Sequence, residues 1–309
     1  MKRCFRSDPA IGSNSCPWTE RREMNLAVFE ILEPGLGATF QDRGRVGWRR
    51  FGVPPSGAMD EHAAQWANRL LDNLPDAPVV EFLLQGGRLK ALQETWIALA
   101  GAGGANVPSW RAVRMSSGDL LQFPTTRSGV WIYLAVEGGF DGPRILGSAS
   151  VYPRGQLGRP LVRGDVLRRA AGARFKLPGG VAGRVVDWHE RRNYESPPPL
   201  RVWRGPQWDL FSDIDREMFF AQDWTVSPQS DRVGYRLTGT PLKPSETQIA
   251  SEPVMVGSIQ VPTNGQPIVT MRDGPTVGGY PKLGLVESAD LSWLAQCRPG
   301  VKVRFQLGP

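Results

Sequence analysis

Residues 33–68 read EPGLGATFQDRGRVGWRRFGVPPSGAMDEHAAQWAN. The stretch opens where an apolar run over 26–32 breaks at Pro34-Gly35. It then carries Gln41, Asp42, Arg43 and Arg45 on a chain interrupted by Gly44 and Gly47. Pro54-Pro55-Ser56-Gly57 forces turns, and an amphipathic pattern follows. Met59, Ala63, Trp66 and Leu70 recur at the i, i+4, i+7, i+11 spacing of one helical face. Asp60 and Glu61 fall in the first turn, where the positive end of the helix dipole favours carboxylates. Asn73 and Pro75 mark the stop. This predicts one prominent helix near residues 58–73, with Glu61, Gln65 and Asn68 aligned on its outer side. Asp60, delivered by a stiff Pro-Pro segment, reads either as a capping carboxylate or as a reacting group held in place.

Outward from this unit the pattern is of strands. Residues 79–83 and 96–100 are short apolar runs, and the second ends in Gly101-Ala102-Gly103-Gly104. A dinucleotide fingerprint needs a helix after such glycines, whereas Asn106-Val107-Pro108 follows, so a Rossmann reading fails. Ser117-Gly118-Asp119-Leu120-Leu121 and Arg163-Gly164-Asp165-Val166-Leu167 share turn residues followed by strand residues, as hairpins do. Residues 130–136 are continuously apolar, which predicts a strand buried on both faces. Gly147-Ser148-Ala149-Ser150 reads as an exposed loop. Tyr194-Glu195-Ser196-Pro197-Pro198-Pro199 is the best linker, because three prolines oppose a core. The expected class is mainly β, in two β-rich domains: an N-terminal one over 24–195 and a C-terminal one over 196–309.

A chain of 309 residues with 36 glycines and 27 prolines fits that class and can bury ample core. The net charge of +7 is scattered, with no basic helix or Lys/Arg block, so neither nucleic acid nor a membrane is expected as a partner. Residues 1–23 lack periodicity and a signal-peptide run; they read as a disordered extension, or Met24 as the start. Without them the basic count falls from 37 to 32 and the acidic from 30 to 27, leaving +5. Of the cysteines only Cys297 then remains, which suits a reducing, cytoplasmic setting. His189-Glu190-Arg191-Arg192-Asn193 has Asn where a metalloprotease's second histidine belongs, so no metal site is expected. No Gly-Lys dipeptide occurs, which excludes a Walker A loop.

Six segments carry a resemblance. They are PGLGATFQDRGRVGWRRFGVPPSGAMD (34–60), GPQWDLF (205–211), SPQSDRVGYRL (227–237), SEPVMVGSIQVPTNGQPIV (251–269), DGPTVGGYPKLG (273–284) and PGVKVRF (299–305). In this order they resemble the biotin-dependent carboxyltransferase-like family, which includes allophanate hydrolase subunit 2, the 5-oxoprolinase C-type subunits and the KipI antagonists. The resemblance runs from about residue 26 to 307. It implies a cyclophilin-like β-barrel and the role of a C-type subunit in ATP-dependent opening of 5-oxo-L-proline to L-glutamate by 5-oxoprolinase. It further implies an allophanate hydrolase subunit 1-like (KipI-like) partner and a LamB/YcsF-like partner. ATP would be bound together with a partner subunit. Biotin is not attached to this chain, since Asp60 follows Gly57-Ala58-Met59 where a carrier has its lysine. Two rivals stand beside it: a carboxyltransferase acting on urea or another amide with biotin on a separate chain, and a non-enzymatic regulator binding a KipI-like sister. The regulator needs only an apolar interface, for which Trp203, Trp208 and Phe211 are candidates.

Asp273-Gly274-Pro275-Thr276-Val277-Gly278-Gly279-Tyr280-Pro281-Lys282 gathers a carboxylate, a hydroxyl, two glycines, a phenol and an ammonium. Asp273 can act as a base, Tyr280 and Lys282 can stabilise an oxyanion, and Gly278-Gly279 let backbone N–H groups approach a ligand. The same residues also suit an ordinary Asx turn. Many relatives carry Gln and Thr where this chain has Pro275 and Val277, which removes an amide and a hydroxyl. Ser230, Asp231 and Arg232 form a second polar loop, in which Arg232 suits a carboxylate or phosphate, or a plain Arg–Asp pair. The expected catalytic residues are Asp60, Asp273, Tyr280 and Lys282. The expected substrate-binding residues are Gln41, Asp42, Arg43, Asn68, Ser230, Asp231, Arg232, Gln260, Thr276, Gly278 and Gly279. Glu81 is either a buried partner for one of the arginines or an outward strand residue. Asp60 and the 273–282 loop are expected to share one site.

Overall fold

The computed structural model describes residues 26–126, 128–170, 175–177 and 179–308. The expected extension over 1–23 and the start at Met24 lie outside the described residues. Two antiparallel sheets stack in the N-terminal half. One runs Leu120–Gln122, Gly87–Ala91, Leu26–Pro34, Val166–Arg169, and the other Ala38–Gln41, Val79–Leu83, Trp131–Val136, Thr95–Gly101, Arg111–Met115. Between them lies a core of large side chains such as Phe29, Ile31, Phe82, Leu99 and Ile132. Each such side chain contributes about 1.5–3 kcal/mol when buried.

The second sheet is buried on both faces, and its alternation explains how. Every residue of Trp131–Val136 is buried, as the continuous apolar run predicts. Ile132, Leu134 and Val136 face the first sheet. Ala98, Ala100 and Ala135 face the other way. Those small side chains let helix α1, Glu61–Arg69, lie close through Ala63, Ala64 and Ala67. The helix is shorter than the predicted 58–73. At its start Asp60 is extended and caps it, and at its end Asp72 turns left-handed at φ 56°. Asn73 then ties the turn down by donating to Asn68 Oδ1 and to the Val136 carbonyl.

The C-terminal half forms one eight-stranded sheet. Its spatial order is Lys302–Val303, Trp224–Val226, Gly234–Thr238, Ile268–Thr270, Ser258–Gln260, Lys282–Val286, Leu200–Arg204, Phe305–Leu307. The two edge strands are consecutive in the chain, separated by Arg304 alone, so the sheet rolls into a nearly closed barrel. Val202, Trp224, Leu237, Ile259 and Val269 fill it. Two further helices were not expected: α2, Asp213–Ala221, and α3, Ser288–Ala295. The signal for α2 is a Ser-x-x-Asp cap, since Ser212 accepts from the Asp215 N–H. α3 is buried on most sides and so shows little amphipathic contrast. Among the described residues no helix is long and apolar enough to cross a membrane.

Candidate functional site

A buried polar network forms where α1, the second sheet and the barrel meet. Pairing of Glu81 with Tyr133 across neighbouring strands puts both on one face, and the phenol donates to Glu81 Oε2 at 2.8 Å. Segment 57–60 lies against them: Met59 N donates to Glu81 Oε2 at 2.8 Å and Asp60 N to the Tyr133 oxygen at 2.7 Å. From the barrel side Arg232 pairs with Glu81 and donates to Asp273 Oδ2 from Nε at 2.8 Å. Its Nη2 donates to the Gly57 carbonyl at 2.8 Å. Gly57 is held at φ 95°, where a Cβ would come 3.2 Å from the Asp42 and Arg43 carbonyl oxygens. Only glycine suits that turn.

The charges follow from this packing. Burial works to lower the Arg232 pKa, but the Glu81 and Asp273 carboxylates outweigh it and hold the guanidinium above its ordinary value. Burial pushes the Glu81 carboxyl up despite Arg232 and the Met59 N–H. Burial first, then the Glu81 and Asp60 carboxylates, raise Tyr133 well above the usual phenol range. Glu81 is therefore the buried partner of an arginine, not an outward strand residue.

Asp60 and Asp273 are joined by this network, yet they do not line one cavity. Asp60 is 0% exposed. Its Oδ1 accepts from Ala63 N at 3.0 Å, and its Oδ2 from the Tyr194 hydroxyl at 2.8 Å and Gln296 Nε2 at 3.0 Å. Both oxygens are taken, which fits the capping reading and leaves nothing to meet a substrate. Asp273 stands at the edge of a cavity of 480 Å³, walled by Trp131, Tyr235, Leu84 and Cys297 and floored by Arg232. The Cys297 thiol there is pushed up to about 12 by burial and is no nucleophile at neutral pH.

A second chamber of 300 Å³ adjoins the first, sharing Arg154, Asp231 and Val233. Its polar side chains and glycines include Gln260, Thr270, Gly278, Gly279, Tyr280 and Arg236, beside the apolar Ile268, Pro275 and Val277. Gln260 Nε2 donates to Thr270 Oγ1 at 2.9 Å. A Cβ on Gly278 would lie 2.8 Å from Gln260 Oε1, so glycine keeps the amide oxygen accessible. Tyr280 is 40% exposed. The Arg236 guanidinium makes no ion pair or side-chain hydrogen bond with another described residue.

The remaining expected residues lie elsewhere or are committed. Lys282 is buried and paired with Glu252, outside the chamber, rather than free to meet an oxyanion. Asp231 Oδ1 accepts from Val233 N and Gly234 N, and Ser230 Oγ accepts from Arg236 N, so both shape a turn. Thr276 accepts from Val254 N through its carbonyl. Arg43 is exposed on a separate cavity of 550 Å³ beside α1, with Glu61, Gln65 and Arg272. Asp42 and Asn68 wall that cavity but are occupied. Asp42 accepts from the hydroxyls of Ser148 and Ser150, both at 2.6 Å, and from Ala149 N. These bonds overcome burial and hold its carboxyl below the usual range. The 147–150 loop, expected to be exposed, thus buries Ser148, Ala149 and Ser150. Asn68 Nδ2 donates to the Ala77 carbonyl, and Gln41 Nε2 to Thr39 and the Val151 carbonyl. Arg154, Arg236 and Thr270 were missed, because nothing in the local sequence ties Arg154 to a loop some 77 positions away. Phe211, offered as an interface residue, is 1% exposed in the barrel core.

Residues 51–307 match the model of the carboxyltransferase domain, subdomain A and B. The chain is similar to the 5-oxoprolinase C-type subunit of Escherichia coli, 35% identical over 90% of each chain. Its fold matches crystal structures of TTHA0988 (TM-score 0.81, 36% identity) and of Kluyveromyces lactis urea carboxylase (TM-score 0.82, 30% identity). Each match covers 91% of this chain, but it spans only 55% of TTHA0988 and 27% of the urea carboxylase.

Proposed function

The chain belongs to the carboxyltransferase-domain family, and from that premise we propose that it is the C-type subunit of an ATP-dependent 5-oxoprolinase. In that role it opens 5-oxo-L-proline to L-glutamate within a complex, beside allophanate hydrolase subunit 1-like (KipI-like) and LamB/YcsF-like subunits. The observation that carries the reading is the 300 Å³ chamber, whose donors and acceptors complement a cyclic amide bearing a carboxylate. Because Gln260 Nε2 is spent on Thr270, its Oε1 is left to accept a lactam N–H. The half-exposed Tyr280 phenol can donate to the lactam oxygen, and arginine supplies the counter-charge for a carboxylate.

An unstrained lactam resists attack by water. Phosphorylation of its oxygen by ATP, bound with a partner subunit, activates the carbonyl carbon. With ADP released, water then adds and the C–N bond breaks, so that the nitrogen leaves as an amine. A second water hydrolyses the resulting acyl phosphate to the side-chain carboxylate and inorganic phosphate. Asp273, paired to Arg232 at the neighbouring cavity, orients rather than takes the proton in this scheme.

Reconstitution with the sister subunits tests the reading. The complex should release glutamate from 5-oxo-L-proline only with ATP, while the chain alone should release almost none. The likeness to urea carboxylase favours a second reading, a carboxyltransferase served by biotin on a separate chain. Carboxylation of urea from a carboxybiotinyl carrier, without lactam opening, would establish that reading instead.

A further inference from the structure

Arg154 comes from the N-terminal half, yet it lines both the 480 Å³ and 300 Å³ cavities of the barrel side. It sits in a 3₁₀ turn, Pro153–Gly155, at the tip of a tight loop. Two backbone hydrogen bonds close that loop, Tyr152 N to the Leu157 carbonyl at 2.8 Å and Leu157 N to the Tyr152 carbonyl at 3.1 Å. A Cβ on Gly155 would stand 2.5 Å from the Tyr152 ring, so the loop also packs on its own aromatic residue. The turn therefore presents Arg154 from a fixed base.

Among the described residues the guanidinium makes one bond, from Nη2 to Asp231 Oδ2 at 3.0 Å. Asp231 cannot swing away, because its Oδ1 accepts from Val233 N and Gly234 N. Arg154 is thus anchored by one of its five N–H groups, and no other described residue accepts from it. Its side chain is 65% exposed and that of Asp231 48%, so the pair leaves the guanidinium accessible to a ligand. Arg236, the other guanidinium of the chamber, has no such anchor among the described residues, so it would lose more side-chain freedom on binding.

We propose that Arg154 is the specificity residue that binds the substrate's carboxylate, completing from the N-terminal half a chamber otherwise built by the barrel. This rests on the 5-oxoprolinase reading above. The carboxylate meets Nε and Nη1 while Nη2 stays on Asp231, so one guanidinium lies between two carboxylates. Arg232, between Glu81 and Asp273, already shows that arrangement elsewhere in this molecule. The amide end of the ligand then falls towards Gln260 and Tyr280. Arg154 holds the ligand without taking part in bond making.

The test is steady-state kinetics of the assembled complex with 5-oxo-L-proline, beside its neutral analogue 2-pyrrolidinone as a competitor. Arg154→Met should raise KM for 5-oxo-L-proline roughly 10- to 100-fold, the loss expected for a hydrogen bond to a charged group, with kcat little changed. Arg154→Lys should recover part of that loss, and the inhibition constant of 2-pyrrolidinone should be unchanged in both variants. An unchanged KM in Arg154→Met, or equal weakening of both ligands, would overturn the assignment while ring opening by the wild type leaves the 5-oxoprolinase reading standing. A wild-type complex that opens no lactam overturns the reading and the assignment together. Thermal midpoints equal to wild type establish that the variants are folded.

Discussion

Arg232 and Arg154 both reach an aspartate near the seam between the N-terminal sheets and the barrel, but they are treated in opposite ways. Arg232 has a side chain 16% exposed and is bonded to Glu81, Asp273 and the Gly57 carbonyl. Arg154 is 65% exposed and holds a single bond to Asp231. The first region is densely paired: Arg232 donates to two carboxylates and a carbonyl, and Tyr133, Asp60 and Gln296 extend the network. The second leaves an amide oxygen, a phenol and two guanidinium groups facing a chamber. Where polar groups pair across the seam, the side chains fix the two halves against each other. Where they do not, the surface is prepared for something else.

The contrast breaks most readily at Arg232. Removing it by Arg232→Met leaves two buried carboxylates facing each other, and the loss should be about 3–5 kcal/mol. Urea unfolding of the purified chain measures it, and a loss below about 1 kcal/mol would mean that water already reaches the cluster.

Asp60→Ala should come next, at roughly 2–3 kcal/mol, since it removes a helix cap and orphans the Tyr194 hydroxyl and Gln296 amide. Asp60→Asn sharpens the point: turnover of the complex should stay near wild type. A fall of roughly 10²-fold with an unchanged thermal midpoint would instead give Asp60 a part in proton transfer.

The smallest effect on folding belongs to the open chamber. Tyr280→Phe should change stability by less than about 0.5 kcal/mol, as for most exposed positions. It should nonetheless lower turnover of the complex by roughly 10²-fold, the cost of one oxyanion donor. Normal turnover in this variant would move the chemistry away from the chamber.

The difference between the two regions also explains what could be read from the sequence. The β class and the strands at 79–83 and 130–136 announced themselves by local apolar runs, and α1 by its spacing and by Asp60. The cap at Asp60 was legible because its partner, Ala63, is three residues away. Its other partners, Tyr194 and Gln296, lie 134 and 236 positions on, and no local pattern points to them. The same distance hid Ser148 and Ser150 as the holders of Asp42, so a glycine-serine stretch passed for a surface loop. The exposure of Tyr280 in 273–282 follows from its glycine-rich loop, whereas the burial of Lys282 does not show locally, because alternation past Pro281 turns it inward to pair with Glu252.

Closure of the barrel by residues 302–307 has a consequence for biosynthesis. Lys302–Val303 covers one edge of the sheet at Trp224–Val226, and Phe305–Leu307 covers the other, parallel to Leu200–Arg204. Until that short piece has left the ribosome, both margins stay open, each a row of unpaired N–H and C=O groups able to recruit another chain. The parallel pairing joins positions about a hundred residues apart, a slow contact to form. The nascent protein therefore passes through a stage in which the N-terminal sheets can already be complete while the barrel is an unsealed ribbon. That interval is when chaperones have the most to protect.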